Sequence, residues 1–269
     1  MSEKKNRYTK IIERLFFNHF EKDLSVVRFS RDEIAQIAKS LKIELPKNLG
    51  DILYTFRYRA GLPDSIRKRA PEDMSWAIRS VGRSHYEFFL TKLVNIAPNE
   101  LLAETKIPDA TPGIIARYAL NDEQGLLAKV RYNRLIDVFT GVVCYSLQSH
   151  LRTAIPGMGQ VETDEFYVGV DKQGVHYAFP VQGKGGKDKI GVVQIEQDLA
   201  MCRAKFPSLI CKPIAAQFMK SDVIALFMFE ETPDGVRVSN ERHYRLVEET
   251  ELTDADLLTY RKRIGEQSV

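Results

Sequence analysis

The chain has 269 residues, with 39 Lys and Arg against 36 Asp and Glu, giving a net charge of +3. Hydrophobic residues are 44% and charged residues 28%, the mix of a globular chain rather than a disordered one. No apolar run approaches the roughly 18 residues of a membrane span, and the length suits two domains better than one core.

The near-neutral total hides a split. Residues 1–92 hold 19 basic and 12 acidic side chains, a net of +7, and the remainder nets −4. A basic first third is suited to meeting an anion, and an acidic remainder can hold carboxylates for another purpose. Within the first third, Ile11, Ile12, Leu15, Phe16 and Phe20 recur at helical spacing. Val26–Phe29 is a short extended run. Ser30-Arg31-Asp32-Glu33 is a capping box opening a helix with Ile34, Ile37, Ala38 and Leu41 on one face. Pro46 breaks the chain, and a second helix carries Leu49, Ile52, Leu53 and Phe56. Met74–Arg79 and His85–Leu90 read as two strands around Gly82, with Trp76 as core packing.

Helix, helix, turn, helix and hairpin is the order of a winged helix-turn-helix, whose second paired helix reads a DNA groove. That helix carries Tyr54, Arg57, Tyr58 and Arg59. Residues 57–83 hold seven basic side chains, Arg57, Arg59, Arg79 and Arg83 among them, against three acidic ones. Such a face would neutralise phosphates of double-stranded DNA. A small helical domain with solvated charges, used for protein contacts, is the competing reading.

Pro98, Pro108, Pro112 and Gly113 mark 93–115 as a linker. Residues 116–269 read as α/β. A long helix is expected over about 131–150, with Asp137 on it and His150 and Arg152 at its end. Strands follow near 160–170 and 175–183, joined by the turn Asp171–Gly174. A helix spans about 188–205, and strands lie near 210–218 and 222–230, the latter central. A short charged helix ends the chain. The three cysteines (Cys144, Cys202, Cys211) are odd in number and lack metal-like spacing. They argue against a disulfide framework or a cysteine zinc site, and for a cytoplasmic location. The N-terminus shows no secretory apolar core.

The chemistry concentrates in Gln160–Gly169 and Phe179–Lys184. Alternation along a strand puts Glu162 and Asp164 on one face, and Gln182 and Lys184 on one face of the next. Pairing through the 171–174 turn brings Asp164 level with Lys184 or one pair beyond Gln182. Carboxylates beside a lysine suit metal-assisted hydrolysis of a phosphodiester. The carboxylates hold a hard cation such as Mg²⁺, and the lysine orients water or steadies charge on phosphorus. A solvated hairpin face with a cross-strand ion pair is the bland alternative.

Asp164, one hairpin, then Gln182-Gly183-Lys184 resembles the catalytic motif of the PD-(D/E)xK nuclease superfamily, in the variant with Gln at the second acidic position. Arg131–Asp137 and Gln148–Thr153 resemble a bacterial group of restriction-like endonucleases. The resemblance covers about 107–247. It implies a restriction-endonuclease-like α/β (α+β) core, a mixed central sheet flanked by helices. It makes Asp164 the principal metal ligand and Lys184 the catalytic lysine. Gln182 offers its amide oxygen, Glu162 adds negative charge, and Gln194 supports the site from the following helix. Mg²⁺ is the implied cofactor, and Mn²⁺ a substitute.

Arg152, Lys187 and Lys189 are candidate DNA contacts beside the cleavage site. Gly183–Lys187 lacks the register of a phosphate loop, so no nucleotide cofactor is expected. The sequence therefore reads as a metal-dependent DNA endonuclease, and as a homodimer if both strands are cut. The alternative is an inactive nuclease fold kept for binding.

Overall fold

The computed structural model describes residues 8–92, 95–120, 122–185, 189–219, 222–233 and 235–266. The first body packs helices α1 (Thr9–His19), α2 (Arg31–Leu41), α3 (Gly50–Tyr54) and α4 (Asp64–Arg67) on an antiparallel sheet. That sheet has the order β1–β3–β2, from β1 (Val26–Ser30), β2 (Ser75–Gly82) and β3 (His85–Thr91). The apolar stripe of α1 is fully buried at Ile11, Ile12, Leu15 and Phe16. The capping box forms as expected: the Ser30 amide donates to Glu33 Oε1 at 2.7 Å. Helix α3 is only five residues long and continues as a π-helical turn, Thr55–Arg59. Trp76 lies in the core, with its ring edge-on to Phe16 at 5.1 Å.

The second body is a mixed sheet of order β5–β13–β12–β11–β8–β7–β6. Its strands are β5 (Glu104–Pro108), β6 (Val143–Ile155), β7 (Gly159–Val170), β8 (His176–Lys184), β11 (Ile214–Phe218), β12 (Val223–Thr232) and β13 (Gly235–Val247). The short β10 (Ile210–Cys211) also pairs with β8. Pairings β8–β11, β8–β10 and β5–β13 are parallel, and the other contacts in this sheet are antiparallel. Helices α5 (Gly113–Tyr118), α6 (Glu123–Tyr132) and α7 (Leu135–Thr140) come before β6. Leu126, Leu127, Val130, Leu135 and Ile136 of α6 and α7 cover one face of the sheet. Helix α8 (Val192–Lys205) covers the other through Val193, Ile195, Leu199 and Met201. A final helix, α9 (Asp254–Glu266), lies against β5, where Tyr260 Oη accepts from the Lys106 amide at 2.9 Å. No helix among the described residues is long and apolar enough to cross a membrane.

Two expectations are corrected here. The long helix over 131–150 does not exist: α7 stops at Gly141, whose φ of +68° suits only glycine comfortably, and 143–155 is an edge strand. Val143 and Leu147 share a helical period with Leu135 and Phe139 but lie in β6, and Val142 is buried in the bend before it. Val143 and Leu147 are exposed on it. His150 and Arg152 are therefore strand residues, not the end of a helix.

The Pro-rich segment 93–115 is also more than a linker. Its β5 is an edge of the large sheet, and β4 (Asn95–Ile96) pairs with β9 (Ile190–Gly191) just ahead of α8. Ala77, Phe89 and Ile96 join the core beneath α8 with Ile190, Val193 and Phe227, so the two bodies share an apolar contact.

Candidate active site at a strand fork

Strands β7 and β8 pair from Val170–His176 up to Glu165–Val181, and the ladder stops there. Beyond that level β7 continues alone with β6, down to Gly159 opposite Ile155. Strand β8 continues with β11, to Lys184 opposite Gln217. The two strands part, and Asp164 stands where they fork. Its Oδ2 accepts from the Gly183 amide at 2.8 Å, so a side chain satisfies a backbone donor that the ladder no longer reaches. Counting on from Glu165 opposite Val181, Asp164 comes level with Gln182 rather than with Lys184 or a pair further on. Gly183 also lets α6 approach: a Cβ there would stand 3.1 Å from Leu127 Cγ.

Glu162 and Asp164 are both half-buried while Val161, Thr163 and Glu165 are buried, so the expected shared face holds. Burial pushes the Asp164 carboxyl above the usual carboxylate range, against the Gly183 amide and the Lys184 charge, which pull it down. Lys184 is 13% exposed, and its Nζ lies 3.1 Å from Glu123 Oε1 in the first turn of α6. That burial matches its place at the end of the apolar run Phe179-Pro180-Val181.

Gln182 is buried and faces α8. Its Nε2 donates to both oxygens of Asp198, at 3.2 and 3.0 Å, and to the Glu162 carbonyl at 3.3 Å. Gln194 Nε2 donates to Gln182 Oε1 at 3.3 Å. Asp198 is buried too, and its carboxyl is pushed well up by that burial, with the nearby Asp164 charge adding to the effect.

Glu162 does not join Asp164 as a free carboxylate. It sits opposite Arg152 in the β6–β7 ladder, whose Nε holds it at 2.9 Å, and His150 Nδ1 lies at 3.3 Å. His150 is in the left-handed region, φ +49°, within an otherwise extended strand. Its neighbours Ser149 and Leu151 pair with Glu165 and Thr163, which places it across from Asp164. A non-glycine residue in that conformation is held there by its surroundings, a pattern that gathers at functional sites.

Asp137 is remote in role from this cluster, bonding the Cys144 amide at 2.9 Å and Arg134 at 2.5 Å in the turn into β6. Arg131 does reach the β7 side, pairing with buried Glu165, which also accepts from Tyr167 Oη at 2.5 Å.

The candidate DNA contacts divide. Arg79 is turned inward, toward Glu87 at 2.8 Å and Glu196 of α8 at 3.6 Å, with its guanidinium 4.1 Å from the Phe89 ring centroid. Arg57 lies at the joint between the bodies, its carbonyl 3.9 Å from where a Cβ of Gly191 would stand. The sheet face that carries Arg79 is covered by α8, and the Nε and Nη2 of Arg57 are buried. Arg83 and Lys189 are exposed, and Arg152 is exposed but spent on Glu162. The Arg59 side chain, Lys187 and Asp188 lie outside the described residues.

Glu123 and Asp198 were not singled out from sequence. Asp198 stands one helical turn after Gln194, and that spacing was its legible signal. Glu123 has no such signal in its own segment.

A hard cation that keeps most of its water needs one or two carboxylates from the protein. Asp164, which uses Oδ2 on Gly183, supplies one such carboxylate, while the Gln182 oxygen is buried and takes the Gln194 amide. A closed cage does not fit: no group of three or more His, Cys, Asp or Glu among the described residues is placed to hold an ion. No family model matches the chain, and neither a curated protein nor a solved structure does.

Proposed function

We propose that this protein is a metal-dependent DNA endonuclease of the PD-(D/E)xK type, with Mg²⁺, or Mn²⁺ in its place, held by Asp164. The observation that carries this reading is the fork: Asp164 accepts from the Gly183 amide where β7 and β8 separate, with Gln182 and Lys184 on either side of that glycine. The first body has the helix, strand, helix, helix, hairpin order of a winged helix, and its exposed Lys68, Arg69 and Arg83 are the charges left to meet a duplex.

The bound cation would polarise the phosphate and acidify the attacking water. Lys184, kept in place by Glu123, orients that water and steadies negative charge gathering on phosphorus. Water attacks phosphorus in line, a geometry and an end polarity that the resemblance implies. The 3′ oxygen leaves, giving 5′-phosphate and 3′-hydroxyl ends. Cutting both strands takes two such sites, so the acting form is a homodimer.

The test is incubation of plasmid DNA, methylated and unmethylated, with Mg²⁺, Mn²⁺ or EDTA, followed by mapping of the ends. Metal-dependent nicks with 5′-phosphate ends are expected, and intact plasmid in every arm overturns the reading. One observation favours a second reading, a nuclease fold kept for binding alone: Glu162, the nearest extra carboxylate, is taken up by Arg152 at 2.9 Å, with His150 Nδ1 at 3.3 Å. Duplex binding without cleavage would select it.

A further inference from the structure

Strand β6 ends the large sheet, and among the described residues it pairs with β7 alone. At 13 residues it is about twice as long as an ordinary strand, so its outer edge is a long template for another strand. Edges of this kind are usually guarded by bulges, kinks or charges. In β6 the guards sit in one half. The ladder to β7 shifts between Ser146 and Gln148, His150 is left-handed, and Arg152 carries a charge. Val143, Cys144, Tyr145 and Ser146 come ahead of all three. They run in regular register with Val170 to Tyr167 and carry no charge. Cys144 is turned under α7, into the core with Leu135 and Phe139. Val143 and Tyr145 alternate with it and are more than half exposed, as is Leu147 at the bulge. The unguarded half of the edge is therefore also its apolar half.

We propose that a second copy of this chain occupies that edge: two β6 strands pair antiparallel about a two-fold axis near Tyr145 and join two large sheets into one. Charge selects this occupant. A two-fold axis sets the residues of a segment against that same segment, so a charge near the axis meets its own copy and repels it. Val143–Ser149 holds no charged side chain, and the cations further along β6 are drawn to Glu162. With Tyr145 on the axis, Val143 of each copy comes level with Leu147 of the other, and Cys144 with Ser146. His150 comes level with Thr140, which precedes β6, so the charged half of each strand runs past the end of the other. The axis between antiparallel strands stands normal to the sheet, so both copies keep the same face up. The two forks then open to one side, as two cuts in one duplex require. That benefit rests on the nuclease reading; the pairing does not.

The experiment is sedimentation equilibrium of the full chain across micromolar concentrations, with neither DNA nor added metal. The wild type is expected to be dimeric. Tyr145→Lys should weaken the association by roughly 10-fold or more, because an aromatic at the axis is lost twice and like charges replace it. Leu101→Lys changes a leucine that is 94% exposed outside β6, and it should leave the association as it is. If Tyr145→Lys fails to fold, Leu147→Lys decides on the same measure. A wild type that stays monomeric overturns the proposal. So does a dimer that the β6 variant leaves intact, or one that Leu101→Lys weakens equally. A dimer broken by the β6 variant, in a protein that cuts no DNA, supports the pairing and removes the nuclease reading alone.

Discussion

Arg79 of the N-terminal hairpin reaches across the joint between the two bodies to lie 3.6 Å from Glu196 of α8, two residues from both Gln194 and Asp198. It also holds the buried Glu87 at 2.8 Å. Removing the guanidinium leaves Glu87 with Arg28 at 3.3 Å and strips Glu196 of the cation beside it. Arg79→Ala should therefore cost roughly 1.5–3 kcal/mol, the range for hydrogen bonds to charged groups. Urea unfolding at neutral pH measures it. A stability unchanged from wild type would show the joint to be held by its apolar contacts alone.

The exposed Arg83 should behave in the opposite way. Arg83→Ala should leave stability within about 0.5 kcal/mol, as surface substitutions do. It should also reduce the slope of log affinity for duplex DNA against log salt by about 1. Arg79→Ala should leave that slope alone. Equal slopes for wild type and Arg83→Ala would mean that the hairpin tip does not touch phosphate.

Lys184→Ala should abolish metal-dependent cleavage, a fall of at least about 100-fold, while duplex binding stays near wild type. Single-turnover nicking and a binding assay at the same salt separate the two effects. Equal nicking by variant and wild type would remove Lys184 from the chemistry.

Gly183→Ala tests the fork itself. The new methyl would stand 3.1 Å from Leu127 Cγ, tight enough that the leucine or β8 must give by a few tenths of an ångström. Where β8 gives, the Gly183 amide is drawn off Asp164. A loss of about 1–3 kcal/mol is expected from overpacking, together with weaker cation binding. Destabilisation with unaltered cation binding would show that the Gly183 amide does not set the position of Asp164.

At the far edge of the sheet, Asp256 is held down to about 2 by the Thr253 amide, the Thr253 hydroxyl and Lys106. Its folded value is below the ordinary 3.8, so its contribution is complete above that value and is lost as pH falls toward about 2. Asp256→Asn should make the attachment of α9 to β5 insensitive to pH in that window. Hydrogen exchange at the Lys106 amide, which donates to Tyr260, reports it.

Much of this was legible from residue order. Alternation in 159–170 and the Asp171–Gly174 turn gave the hairpin that carries Asp164 and Lys184, and the Ser30–Glu33 box gave the start of α2. The errors have physical causes. Leu135 to Leu147 satisfies a helical period, but β-branched Val142 and Val143 follow Gly141, whose left-handed backbone ends α7. Asp164, Gln182 and Lys184 fall on one hairpin, so strand alternation alone groups them. Asp198 and Glu123 come from opposite faces of the sheet, and no spacing within a strand announces them. The inward turn of Arg79 depends on a contact between bodies that its own strand does not record.

The pairing of Asn95 with Gly191 and Ile96 with Ile190 has a mechanical side. Two hydrogen-bonded strands slide past one another only by breaking their bonds, so this short clasp ties the segment leaving the first body to the stretch between Lys184 and α8. A rotation of the first body would therefore pull on the start of α8 twice, through the clasp at Ile190 and Gly191 and through Arg79 on Glu196. The two bodies are thus joined by a lever a few residues long.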